Sequence, residues 1–197
     1  MAGAAADEKM VLLSGVAGLL AGAFSMAAGE YVSVRSQREM YEHQIDLERN
    51  ELAEYPEEEA EELALIYAAR GMPIEEARGY AQKTIADPER ALLTLAREEL
   101  GLNPEELGSP WGAAISSFCS FAIGAAIPLI PFMLLGGSRA LAVSVAATAL
   151  ALFAVGASIS LFTGRSALKD GTRMLAIGVM AGAVTYCIGY LIGVNVS

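Results

Sequence analysis

Histidine, cysteine and positive charge are all scarce in this chain. A single histidine, His43, follows Met40 by three residues, so the Glu-x-x-His motif of a di-iron carboxylate bundle is absent. The two cysteines, Cys119 and Cys187, fall inside apolar stretches without metal-ligand spacing. They read as small packing residues rather than a disulfide or a redox pair. No nucleophile with its base and no glycine-rich phosphate loop beside a strand is visible, which argues against an enzyme. Lysine and arginine number 13 against 23 aspartates and glutamates, for a net charge of −10 and a pI near 4.6. An acidic surface repels phosphate backbones and attracts cations, which argues against nucleic acid as a partner and makes metal ions plausible ones.

What the chain has in quantity is apolar sequence. Its 197 residues are 54% hydrophobic and 18% charged, with a mean hydropathy of +0.44, and a soluble globule of that composition would expose too much apolar surface. A membrane-crossing helix needs about 20 mostly apolar residues, and four stretches qualify: 10–34, 111–135, 140–163 and 172–194. The first runs into GEYVSVRSQRE without a short h-region or a cleavage site, and reads as mature helix rather than signal peptide. The expected fold is an all-α integral membrane protein with four transmembrane helices, a domain at 35–110 between the first and second, and a three-helix region at 111–197. If the spans alternate, Arg35, Arg38, Arg165, Lys169 and Arg173 share a side against Lys9 and Arg139 on the other. The positive-inside rule then makes the 35–110 side cytoplasmic. Small residues at Gly15, Gly18 and Gly22, at Gly178 and Gly182, and at Gly189 and Gly193 predict close helix packing. Pro128 and Pro131 remove two backbone donors from the second span, predicting a kink or carbonyls freed toward a cavity.

Residues 34–110 hold 19 acidic and 8 basic residues, a net of eleven negative charges. Pro56, Pro73 and Pro88 each sit where a first helical residue would, Asp87 is a good N-cap, and Gly71 and Gly101 fit C-terminal stops. These signals predict one long helix leaving the first span and ending near Glu54, then helices near 56–70, 74–86 and 88–100. Leu63, Ile66 and Tyr67, with Ala91, Leu92 and Leu95, recur at helical spacing and can share a small core. Glu48 and Glu51 form an i,i+3 pair, as do Glu59 and Glu62 just past Pro56. A hairpin at Ala53 to Pro56 would face the pairs toward each other, with Glu99 joining from the last helix. Hard divalent cations take such oxygen ligands, and the crowded carboxylates would repel one another unless a cation or protons filled the cluster. Glu-rich helices are also commonly just solvated faces. Met26 and Glu30, an i,i+4 pair near the end of the first span, fit either an interfacial anchor or part of an ion path.

The run GAFSMAAGEYVSVRSQRE, the acidic helical insert closing on AREELGL, and GAAIPLIPFMLL after it together resemble the vacuolar iron transporter (VIT) family over nearly the whole chain. The resemblance implies a homodimeric iron(II) and manganese(II) transporter that exchanges metal for protons; with the acidic domain cytoplasmic, the expected location is the cell membrane and the expected role export or detoxification from the cytoplasm. It implies that Glu48, Glu51, Glu59, Glu62 and Glu99 are the metal ligands of a cytoplasmic domain. It also places Met26, with Glu30 of the GEY motif, on the transport path. The family's first of five spans, with its aspartate in a D-G-L-type motif, has no counterpart here, so the chain is expected to begin at the second. Leu95 and Ala96 stand where some members carry methionines, which implies an all-oxygen site that discriminates less against manganese. A chain without that first span has an alternative reading, a non-transporting membrane-anchored metal-binding or regulatory protein.

Overall fold

A computed structural model describes residues 8–135 and 138–196, and these are helical with short connections. The elements are α1 (Glu8–Glu54), α2 (Pro56–Ala69), α3 (Ile74–Ile85), α4 (Pro88–Glu98), α5 (Pro110–Leu134), α6 (Ser138–Thr163) and α7 (Ala167–Val196). They divide into two compact units, Ala28–Ala114 and a second formed by Met1–Ala27 with Ile115–Ser197.

Within the Ala28–Ala114 unit, the helix boundaries follow local chemistry. α1 stops at Tyr55, whose φ of −132° and ψ of 50° leave the helical region, and Pro56 restarts the chain as the first residue of α2 because its missing N–H is not needed there. Gly71, with φ of +100°, follows the end of α2 and takes a left-handed conformation that a side chain would strain. The Asp87 carboxylate accepts from the Arg90 N–H at 3.3 Å and caps α4. Pro73 departs from the expectation: it is the cap and not the first turn of α3, because its ψ of 132° is extended. Leu52 of α1, Leu63 and Ala64 of α2, Ala77 and Ala81 of α3, and Ala91 and Leu95 of α4 make one buried cluster, with Tyr67, Ile85 and Leu92 packed on it. The alanines let the short helices approach one another closely, α2 against α3 above all, and Leu63 and Leu95 fill the centre.

The other unit carries the membrane spans. Four helices are long and apolar enough to cross a bilayer, and no more than 17% of any span's apolar window is buried within the chain. In water those surfaces would be untenable, so the protein is an integral membrane protein. Gly15 lies against Leu129, and Gly22 against Phe121, where a β-carbon would collide. Phe24 meets Phe118 edge-on at 5.1 Å. Among the described residues, Gly18 and Gly182 have open space around them and contribute no close approach. Gly178 lies as tightly against Leu152 as Gly15 does against Leu129, and the spacing of small residues did not single out one further approach, to backbone: a β-carbon on Gly156 would lie 2.6 Å from the Asp170 carbonyl oxygen, and one on Gly171 would lie 2.7 Å from the Phe153 ring. α5 continues as one helix through Pro128 and Pro131, and the Ser144 hydroxyl donates to the Pro128 carbonyl at 2.8 Å. The fourth span starts at Ala167, five residues before the expected 172, leaving only 164–166 as the connection. The turn expected at 136–138 falls on residues 136–137, outside the described residues.

Candidate metal centre

Three carboxylates from three helices converge in the acidic unit. Glu48 comes from the last turns of α1, Glu59 from the first turn of α2, and Glu99 from the cap of α4. One oxygen of each lies within 4.8 Å of the others. Each of the three sits four residues from a core leucine, in the pairs Glu48 with Leu52, Glu59 with Leu63, and Leu95 with Glu99. Residues four apart share a helix face, so burying the leucines turns the carboxylates toward the same interior. Glu48 is 2% exposed and Glu59 7% exposed, whereas Glu99 is open to solvent. Glu51 and Glu62 are exposed, and their charges reach the cluster from its rim.

The electrostatics are those of a crowded, half-dry cluster. Burial, followed by the charges of Glu99, Glu59 and Glu51, pushes Glu48 up from 4.5 to about 8. Burial and then the neighbouring charge of Glu62 also raise Glu59 and Glu99. At neutral pH a proton on Glu48 can be donated to Glu59, whose own rise this hydrogen bond opposes. Even so, Oε1 of Glu48 and Oε2 of Glu59 are buried without a hydrogen-bond partner, a costly state for acceptors in a native fold. The surrounding arginines are engaged elsewhere. Arg78 binds Glu61 at 2.7 Å, Arg97 binds Glu105 at 3.4 Å, and Arg70 pairs with Glu98. Among the described residues, no ion pair reaches any of the five cluster glutamates.

A divalent cation fits these observations. Two oxygens on opposite sides of an ion lie about twice the bond length apart, about 4–5 Å for bonds of about 2.0–2.6 Å. The observed limit of 4.8 Å therefore admits one ion after little movement. The ion would satisfy both orphaned oxygens and replace the proton, and the open side at Glu99, Glu51 and Glu62 leaves room for further oxygen ligands or water. Leu95 and Ala96 are fully buried, so the positions where soft ligands were expected in other members are packed away from solvent.

The five glutamates singled out in the sequence are thus gathered, three at the centre and two at the rim. Spacing alone does not separate them, because Glu51 also stands four residues from a leucine, Leu47, but that leucine is 48% exposed and not in the core. Met26 and Glu30 are both exposed on α1, and among the described residues no third histidine, cysteine or carboxylate completes a cluster with Glu30.

The VIT family model matches residues 1–190. Vacuolar iron transporter 1 of Arabidopsis thaliana is 31% identical over 193 residues, covering 98% of this chain and 77% of that protein. The vacuolar iron transporter of Acanthamoeba castellanii is 34% identical over 186 residues, covering 94% of this chain and 70% of that protein. A match of nearly the full length, on a chain of four spans with an acidic helical unit, places this protein in the VIT family.

Proposed function

We propose that this chain transports divalent metal ions, iron(II) or manganese(II), out of the cytoplasm in exchange for protons, and that it does so as a homodimer. The reading is carried by the Glu48, Glu59 and Glu99 cluster, with its two buried and unbonded oxygens. The names of the relatives, which are iron transporters, support it. In this proposal the acidic unit faces the cytoplasm, where the arginines and lysines of the short connections favour it. It collects the ion through Glu48, Glu51, Glu59, Glu62 and Glu99. The path across the membrane then includes Met26, a soft donor, and Glu30, a hard one. An all-oxygen collecting site discriminates less against manganese(II) than one with soft ligands. Proton exchange follows from the raised carboxylates, because a cation entering the cluster displaces a proton held there.

Metal flux into proteoliposomes tests the proposal. Chain reconstituted in vesicles should accumulate iron(II) or manganese(II), and the double variant Glu48→Ala with Glu59→Ala should lose that flux. Unchanged flux in the variant would remove the acidic unit from the mechanism. Tight metal binding with no flux in the unmodified chain would make it a membrane-anchored metal-binding protein instead.

A further inference from the structure

Far along the chain from the acidic cluster, the hairpin of α6 and α7 carries a second concentration of charge. Arg165, Lys169 and Arg173 recur every four residues and line a polar cavity of about 360 Å³ with Asp170. Among the described residues none of the three forms an ion pair. An apolar cavity of about 220 Å³ adjoins it, sharing Arg165, Asp170 and Arg173 and continuing along Ile159, Met174 and Ile177. Ile159 and Ile177 are 43% and 49% exposed, so this groove opens sideways, where lipid chains lie. Asp170 stands apart from its cationic neighbours, because its Oδ2 is buried and accepts no hydrogen bond. The connection at 164–166 joins two membrane spans, which sets the polar cavity at the level of lipid headgroups.

We propose that this hairpin binds one anionic glycerophospholipid, with its phosphate among Arg165, Lys169 and Arg173, a headgroup donor on Asp170, and an acyl chain in the groove along Ile159, Met174 and Ile177. Three cations against one carboxylate leave the mouth net positive, which selects an anionic over a zwitterionic lipid. Guanidinium groups hold phosphate through paired hydrogen bonds. The buried Asp170 oxygen needs a donor, which a glycerol headgroup hydroxyl supplies and a bare phosphatidic acid lacks. The joined apolar groove distinguishes a lipid from free phosphate, since inorganic phosphate has nothing to place there.

The test uses the full chain in detergent, titrated with phosphatidylglycerol, phosphatidylcholine, phosphatidic acid or inorganic phosphate and followed by native mass spectrometry. One phosphatidylglycerol per chain should bind about tenfold more tightly than phosphatidylcholine. Lys169→Gln and the triple Arg165→Gln, Lys169→Gln, Arg173→Gln variant should erase that preference. Ile177→Trp, which fills the groove and keeps the charges, should weaken phosphatidylglycerol as well. Asp170→Asn should narrow the difference between phosphatidylglycerol and phosphatidic acid. Equal binding of phosphatidylcholine, indifference to Lys169→Gln, or displacement of the lipid by millimolar phosphate would overturn the proposal. So would a lipid-free dimer whose second copy covers the groove.

Discussion

Glu48 is where charge and burial conflict most sharply. Metal-free, it keeps its proton up to about pH 8, whereas an ordinary glutamate loses it near 4.5. Between those limits the folded chain binds more protons than the unfolded one, so the stability of the metal-free acidic unit falls as pH rises through that window. Melting the chelated protein at about pH 5 and about pH 8 should give the lower midpoint at the higher pH, and Glu48→Gln should shrink the difference. Equal midpoints in the unmodified chain would mean that the carboxylate is not strained. Saturating manganese(II) should restore most of the loss at the higher pH, because the ion takes over the proton's role. Glu48→Gln should also weaken manganese binding by roughly tenfold or more in calorimetry. The counterpart variant Leu95→Met asks whether a thioether alone confers preference for iron. Leu95 lies fully buried in the leucine and alanine core, so the sulfur should be held there, and the ratio of iron to manganese affinity should not change.

The helices of the acidic unit depend on a core made mostly of alanine, and its two fully buried leucines carry unusual weight. Leu63→Ala should cost about 2–5 kcal/mol, read from chemical denaturation of the full chain followed at the acidic unit. It should weaken metal binding too, since Leu63 anchors the helix face that carries Glu59. Asp87→Ala should cost about 1 kcal/mol through loss of its cap on α4. Between α6 and α7, Gly156→Ala would thrust a methyl group against the Asp170 backbone and should lower the melting temperature in detergent by several degrees, as overpacking does. The helices were largely legible in the sequence, because proline, glycine and Asp87 mark their ends through backbone rules that act locally. The convergence of Glu48, Glu59 and Glu99 was legible only as E-x-x-E pairs. Its ranking, with two carboxylates buried and two at the rim, depends on which leucines enter the core, a tertiary outcome. The meeting of Gly156 and Gly171 was hidden for the same reason: closeness between two helices leaves no periodic mark on either. The fourth span began earlier than its hydropathy suggested, because Lys169, Asp170 and Arg173 are polar yet compatible with the first turns of a helix at a membrane edge.

For the molecule as a whole, the predicted consequence of its composition is a division of labour: an acidic unit outside the bilayer that holds charge, and apolar helices that cross it. If transport is coupled to protons, manganese flux into vesicles should carry protons the opposite way, and an imposed pH gradient should change its rate. Insensitivity to that gradient would leave a uniporter. A further consequence lies in where the three central carboxylates sit along the chain, at 48, 59 and 99. An ion bound to all three ties together segments separated by up to about fifty residues, and so acts as a removable cross-link that closes loops in the unfolded ensemble. Chelation should therefore do more than empty a ligand set. It should loosen the end of α4, exposing the neighbourhood of Arg97 to trypsin, and the rate of cleavage there would report cargo occupancy from outside the bilayer.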